Sequence, residues 1–142
     1  MRTLLTILAL PLAFLSCNND DDSATSDCGT TACTQEFRTL VVTITDSEDL
    51  AVALDEYRVT EVATGKDITI ESADHQWDQY RENGEYPLFS DAYSQIYQNQ
   101  EVGIRFIGYI DGKEVVRADY TVGADCCHIF LVDGDTTLEI DG

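Results

Sequence analysis

Residues 101–122 read EVGIRFIGYIDGKEVVRADYTV, and this stretch decides the fold. Each half alternates apolar with other side chains, a period of two that is typical of β-strands. One face carries Val102, Ile104, Phe106 and Ile110 before the turn, and Val116, Ala118, Tyr120 and Val122 after it. Asp111-Gly112 between the halves favours a tight hairpin turn. The stretch therefore predicts two antiparallel strands, over residues 101–110 and 114–122.

Five more short alternating segments lie on either side of this hairpin. They cover residues 40–45, 57–62, 68–70, 127–132 and 136–140. No helical periodicity competes with them, and the two prolines lie outside them. Seven short strands separated by turn residues predict an all-β domain, a single antiparallel two-layer β-sandwich over residues 33–142.

The long connection between residues 72 and 100 is rich in aromatic residues. It contains Trp77, Tyr80, Tyr86, Phe89, Tyr93 and Tyr97, mixed with Gln and Asn side chains. Within two of the predicted strands, residues 104–109 and 129–132 nevertheless place apolar side chains on both faces, whereas the strands of a sheet with one face in water alternate. We therefore expect this connection to cover the outer face of that sheet. Within it, residues 84–86 favour an extra edge strand that Pro87 ends, and residues 91–98 favour a helical turn.

The same aromatic segment supplies the candidate ligand-binding residues. Aromatic rings beside amide groups suit a sugar, which presents an apolar face together with hydroxyl groups. The candidates for such a platform are Trp77, Tyr80, Tyr86 and Tyr93. Packing of these rings on the sheet is the favoured interpretation, because strands that are apolar on two faces need a cover.

Four cysteines lie in or beside the predicted domain: Cys28, Cys33, Cys126 and Cys127. An even number in an exported chain indicates disulfides, and four cysteines allow three connectivities. We expect each of the early two to pair with one of the late two, which closes loops of roughly 100 residues. The alternative is a zinc site with cysteine or His128 ligands, which is disfavoured because adjacent ligands converge poorly on a tetrahedron.

Metal sites and catalytic groups are not predicted. The densest acidic groups, residues 46–49 and 133–135, match no EF-hand pattern, so solvated turns are their expected role rather than calcium binding. His75 and His128 are the only histidines, and the common catalytic motifs are absent. For His128 we expect a structural hydrogen bond. We expect no cofactor and no enzymatic activity; a small hydrolase that uses His75 with a carboxylate is the minor alternative.

The charge balance excludes one large class of partner. The chain carries 27 acidic against 8 basic residues, a formal net charge of −19. A nucleic-acid-binding protein needs a basic face to neutralise phosphates, and an anionic lipid surface repels an acidic protein for the same reason. No apolar stretch reaches the roughly 20 residues of a membrane-spanning helix. The partners that we expect are therefore a protein or a glycan.

The first 16 residues are typical of a secretory signal peptide. Arg2 precedes an apolar stretch, residues 4–15, that is too short to span a membrane. The stretch leads into Leu15-Ser16-Cys17, which resembles a bacterial lipobox. This resemblance implies that Cys17 carries fatty acids such as palmitate and becomes the new N-terminus; a plain signal peptide with an incidental cysteine is the alternative. Residues 17–32 are then an acidic, disordered tether.

The residues that follow Cys17 indicate a location. Asn18-Asn19-Asp20-Asp21-Asp22 resembles the surface-export signal of Bacteroidota-type lipoproteins. The resemblance implies a lipid-anchored protein of the cell outer membrane that is exposed at the surface. Retention on the periplasmic face, with the acidic run as a solubilising spacer, is the alternative.

Two motifs resemble those of a known kind of domain. They are Cys33-Thr34-Gln35-Glu36-Phe37 and Asp125-Cys126-Cys127-His128-Ile129. They are similar to motifs of small immunoglobulin-like, prealbumin-like or carboxypeptidase-regulatory-like domains in such lipoproteins, which implies an accessory sandwich without chemistry of its own. We therefore expect a lipid-anchored, non-enzymatic interaction or accessory module. Glycan binding through residues 77–97 is the alternative function.

Overall fold

The computed structural model describes residues 28–141. The predicted signal peptide, Cys17 and most of the predicted tether lie outside these residues. The described chain forms seven strands, one α-helix and one short 3-10 helix. In chain order they are β1 (Thr39–Asp46), β2 (Glu56–Glu61), α1 (Asp74–Asn83), β3 (Glu85–Ser90), the 3-10 helix Asp91–Tyr93, β4 (Gln100–Ile110), β5 (Lys113–Ala124), β6 (Ile129–Asp133) and β7 (Thr137–Ile140).

The seven strands form two sheets with a common core. One sheet has the order β3–β1–β7, and the other has the order β2–β4–β5–β6. The pairing is antiparallel throughout except between β1 and β7, which run parallel. The prediction of a mostly β fold with seven strands in two sheets is confirmed.

The β4–β5 hairpin is the centre of the larger sheet, as the sequence predicts. Asp111 and Gly112 have φ angles of 52° and 69°. Two successive left-handed residues give the turn that matches the right-handed twist of a hairpin. Ile104 and Phe106 of β4 are fully buried, so the alternation identifies the inner face correctly.

The core takes side chains from both sheets. From the smaller sheet come Val42, Ile44, Leu88 and Phe89, and from the larger sheet come Val59, Ile104, Phe106 and Val122, all of them fully buried. Burial of one such side chain contributes about 1.5–3 kcal/mol. Tyr57 of β2 stacks on Phe106, with 5.5 Å between the ring centroids.

The predicted third strand is wrong, and another segment takes its place. Residues 68–70 run beside β2, where the Ile68 N–H donates to the Val59 carbonyl at 2.8 Å, but they form no strand. The strand is β3, which continues beyond the predicted end at Pro87. Because β3 lies at the edge of its sheet, the missing N–H of proline removes no ladder bond there. The partner strand β1 has an irregular register between Leu40 and Val41, beside this position.

Helix α1 is absent from the sequence prediction because its ten residues carry only two large apolar side chains, Trp77 and Tyr80. The helix ends at Gly84, whose φ of 65° is left-handed. A Cβ at this position would lie 2.6 Å from the Ile44 carbonyl oxygen, so only glycine fits. Among residues 28–141, no helix has the length and apolar character needed to cross a bilayer.

The aromatic connection does not cover the outer face of the larger sheet, so that prediction is wrong. Its strand β3 joins the smaller sheet, and three of its rings, Tyr86, Phe89 and Tyr97, are buried in the core. Phe130 and Val132 of β6 stay 40% and 44% exposed. On β4, Ile107 has Arg58 and Arg117 as its cross-strand neighbours. The long aliphatic stems of arginine shield apolar neighbours, so such a face needs no separate cover.

Candidate functional site

The two ends of the sandwich differ, and we name each by its residues. The tether end comprises segment 28–38, the 3-10 helix Asp91–Tyr93 and the β5–β6 turn, residues 125–128. The open end comprises Asp46 at the end of β1, the β4–β5 turn and Ile140 at the end of β7. Strands β1 and β4 both run from the tether end to the open end. The chain therefore enters the domain at one end, and the other end lies a full strand length away.

Two disulfides lock the tether end. They join Cys28 to Cys126 and Cys33 to Cys127, each with 5.3 Å between the Cα atoms. The predicted pairing of the early with the late cysteines is confirmed, and the connectivity that the sequence left open is now assigned. Because all four thiols are used in disulfides, the zinc alternative has no thiolate ligands left.

The vicinal cysteines lie in a turn and not on a strand, which corrects the predicted start of β6. The strand begins at Ile129. Asp125 shapes the turn, because its Oδ1 accepts the backbone N–H groups of Cys127 and His128 at 2.7 and 2.8 Å. The turn directs both sulfur atoms toward segment 28–38.

A buried hydrogen-bonded cluster, named the latch, holds segment 28–38 beside the disulfides. It consists of Thr34, Asp91 and His128. The His128 Nδ1 lies 2.8 Å from Asp91 Oδ2, and its Nε2 lies 2.8 Å from the Thr34 hydroxyl. Asp91 also accepts the backbone N–H groups of Arg38 and Ile129, each at 2.8 Å. The side chains of His128 and Asp91 are only 10% and 8% exposed. The latch therefore joins three separate parts of the chain.

Two carboxylates of the tether end, those of Asp91 and Asp125, are held in the charged form. Burial raises the pKa of Asp91, but hydrogen bonds from Arg38, His128 and Ile129 outweigh it, and the pKa lies below its usual range. The backbone N–H groups of His128 and Cys127 likewise lower the pKa of Asp125. At neutral pH both groups are therefore ionised and accept the hydrogen bonds that fix the turn and the latch.

The row of hydroxyl, imidazole and carboxylate in this latch has the order found in acyl-transfer enzymes. Its carboxylate, however, is bonded to two backbone N–H groups besides the imidazole. Neither of the clefts described below is lined by Thr34 or His128. His75, the histidine of the minor hydrolase alternative, lies exposed on α1. The latch therefore fits the structural hydrogen bond expected for His128.

A cleft of about 400 Å³ lies at the open end, between the two sheets. Its apolar wall consists of Val52, Ile110, Val115 and Ile140, and its rim carries Asp46, Asp111, Asp141 and Lys113. The apolar residues are partly buried and also pack against the core. The cleft thus combines an apolar interior with three carboxylates and one ammonium group. Ligand pockets are commonly of this size and polarity.

A second, smaller cleft of about 270 Å³ lies beside α1 and β3 and is named the lateral cleft. Two aromatic rings line it, those of Tyr80 and of Phe37, which is 67% exposed. Its polar lining residues are Thr39, Glu71, Gln76 and Ser90. The fold therefore brings together two rings, an amide and a carboxylate from four separate parts of the chain. No sequence pattern links these four parts.

Two of the candidate rings pack against the core and not on a platform: Tyr86 is buried and Tyr93 is partly buried. Tyr86 is fully buried, and its hydroxyl accepts the Leu54 N–H at 2.7 Å and donates to the Val52 carbonyl at 2.8 Å. Tyr93 stacks on Phe89, with 5.4 Å between centroids, and its hydroxyl donates to a backbone carbonyl. A surface platform made of all four predicted rings is therefore not formed.

The other two candidate rings, like that of Tyr93, are partly exposed. Trp77 stacks on Tyr57 at 5.9 Å between centroids, with 16° between the ring planes, so one of its faces is used in packing. Tyr80 lines the lateral cleft. Of the predicted sugar-binding residues, Tyr80 is thus the one that a cleft presents to a ligand.

The two acidic turns weighed as calcium sites, residues 46–49 and 133–135, contain carboxylates with local structural roles. The Oδ1 atom of Asp46 accepts the N–H groups of Glu48 and Leu50, and Asp135 accepts that of Thr137. Across the described part of the chain, no three side chains of the His, Cys, Asp or Glu types come together as a metal site would require. These carboxylates act as caps of their own turns.

In comparisons with known proteins, no family model, no curated protein and no solved structure matches the chain. Sequence reasoning missed both clefts, because each is formed where strand ends or separate segments meet. The one sequence signal for the open-end cleft is that Asp residues follow several predicted strands. Only the topology of the sheets shows that three of these Asp residues meet.

Proposed function

We propose that this chain is a lipid-anchored protein of the cell envelope that acts as a non-enzymatic interaction or accessory module. One observation carries the proposal: the chain enters the sandwich at a cross-linked end, while an open cleft lies at the opposite end. A domain that is attached by one end presents the other to a partner. The two disulfides also support export, because they form and persist in oxidising compartments.

The attachment that we propose is the acylated Cys17, after removal of residues 1–16. The acidic residues that follow it, up to the first disulfide at Cys28, act as the tether. Exposure at the surface of the outer membrane is the favoured location, and the periplasmic face is the alternative. The net charge of −19 supports an exposed position, because mutual repulsion keeps such a protein soluble.

We propose in addition that the domain is related to immunoglobulin-like or prealbumin-like accessory domains. The supporting features are the seven strands in two sheets and the alternation of the chain between them: β1, β3 and β7 in one, and the other four in the second. Domains of this architecture serve many unrelated roles, so the fold itself names no ligand.

Glycan binding is the second candidate function, and the lateral cleft favours it. Phe37 and Tyr80 offer ring faces there, and Gln76 and Glu71 offer hydrogen-bonding groups. In a glycan screen, Tyr80→Ala should remove binding, whereas Gln79→Ala, one position earlier on the same helix, should retain it. Equal binding by both variants, or none by the parent protein, would remove this candidate.

The anchor is tested by fractionation of cells that express the full chain. The parent protein should sediment with membranes, and Cys17→Ala should release it or leave it unprocessed. Thr25→Ala, a change within the same tether, is the control and should behave as the parent does. Membrane association of a correctly processed Cys17→Ala protein would contradict the proposal.

A further inference from the structure

The open-end cleft has a chemistry that selects one class of ligand. Its wall is made of aliphatic side chains, which favour an apolar body of matching size. Its rim has three carboxylates, on Asp46, Asp111 and Asp141, against the single ammonium of Lys113. The rim therefore favours a cation and repels an anion.

The neighbouring charges do not reverse this balance. Arg81, the other cation near this end, is 3.3 Å from Asp55, which also accepts the Asp111 N–H at 2.8 Å. That guanidinium is thus matched by a carboxylate outside the cleft lining. The whole chain has a formal charge of −19, so its field draws cations toward the protein and lowers the local concentration of anions.

We infer that the open-end cleft binds a small molecule in which one ammonium group is joined to an aliphatic or aromatic body. The inference rests on the proposed binding role and names the site and the ligand class. The volume of about 400 Å³ fits a small ligand and not a long polypeptide segment. The apolar body enters between the sheets beside Ile110 and Val115, and the ammonium group stays at the rim among the carboxylates.

The probes are hexylammonium, hexanol and hexanoate, added to the isotope-labelled full chain with both disulfides intact. Amide-detected NMR should show saturable shifts around Ile110 and Val115 with hexylammonium, weaker shifts with hexanol and none with hexanoate. Shortening the amine should weaken binding by up to roughly fourfold for each methylene group lost. Added salt should weaken binding of the amine and leave that of hexanol unchanged.

Charge variants test the contribution of the rim to binding without disturbing the fold, because they leave the apolar wall of the cleft intact. The double change Asp111→Asn with Asp141→Asn should weaken amine binding by roughly threefold to tenfold. Asparagine tolerates the left-handed φ of 52° at position 111, so the turn is kept. Lys113→Gln should strengthen binding, because it removes a competing cation. The control is Glu101→Gln, which removes one negative charge at the tether end and should change nothing.

The inference would be overturned by the absence of shifts at the cleft, by equal effects of hexylammonium and hexanoate, or by equal weakening by Glu101→Gln and by the rim variants. Binding of a lysine-rich peptide without binding of the small amine would also overturn it, in favour of a protein partner. None of these results depends on Cys17, so failure here leaves the fractionation test of the anchor unaffected.

Discussion

The tether end and the open end of the same sandwich are stabilised in different ways. At the tether end, two disulfides and the buried pair of His128 with Asp91 hold a segment that has no helix or strand of its own. At the open end, strand ends pack on the core and leave a cleft between the sheets. Covalent constraint is thus concentrated where the chain enters, and the larger of the two described clefts lies at the opposite end.

The largest expected effect concerns the disulfides. Removing either pair alone, by Cys→Ala changes at both partners, should cost about 2 kcal/mol, because the other bridge still closes nearly the same loop. Removing both pairs should cost about 5 kcal/mol or more, since a loop of nearly 100 residues is then open. Urea denaturation of the three variants measures these losses. Strictly additive losses, with the double loss equal to the two single losses, would contradict this account.

A smaller effect is expected from helix α1, the helical part of the aromatic connection. Trp77 stacks on Tyr57 and is partly buried, so Trp77→Ala should lower the free energy of unfolding by about 2–4 kcal/mol. Gln79→Ala, on the exposed side of α1, is the control and should be nearly neutral. If Trp77→Ala left the unfolding midpoint unchanged, the ring would be a surface group after all.

The open end depends on one buried hydroxyl. Tyr86→Phe leaves the Leu54 N–H without its acceptor, which should cost about 1–3 kcal/mol. The change also removes the hydrogen bond to the Val52 carbonyl. Because Val52 lines the open-end cleft, the changes in NMR chemical shift of the backbone amides should be largest around that cleft. Tyr109→Phe, on the outer face of β4, provides the matched control. Equal destabilisation by the two changes would show that the hydroxyl of Tyr86 has no special role.

The smallest effect is a dependence of the tether end on pH. The pKa of Asp91 is lowered in the folded protein, so its contribution is full above the ordinary carboxyl pKa and is lost as the pH falls through the lowered value. Acid should therefore loosen segment 28–38 before the sheets unfold. Asp91→Asn should cost about 1–2 kcal/mol at neutral pH and flatten the acid dependence. Asp133→Asn is the control, and an identical pH profile for the two variants would refute this role.

The sequence predicts the sheets well and the ends poorly, for physical reasons. Alternation and the Asp111-Gly112 turn locate β4 and β5, because both signals are local. Helix α1 escapes prediction, since most of its residues are polar and its packing contacts come from Trp77 and Tyr80 alone. The pairing of vicinal cysteines with Cys28 and Cys33 follows from parity and export, but its connectivity depends on the turn that Asp125 shapes.

The residues of the candidate sites likewise depend on contacts between distant parts of the chain, which local sequence signals do not predict. Tyr86 is a candidate because it is an aromatic residue in a segment rich in rings and amides, yet it is buried because β3 joins the smaller sheet, which no local pattern specifies. The open-end cleft unites Asp46, Asp111 and Asp141 from three strand ends. Only the parallel pairing of β1 with β7 and the direction of β4 bring these residues together.

Hydrogen exchange of the backbone amides, followed by mass spectrometry, tests the difference between the two ends most directly. The parent protein is compared with the variant that lacks the Cys33–Cys127 disulfide, under conditions where both are folded. We predict faster exchange in residues 28–38 and 125–129 of the variant, with unchanged protection of β4 and β5 around the open end. Faster exchange spread evenly over both ends, or no change at the tether end, would contradict the account.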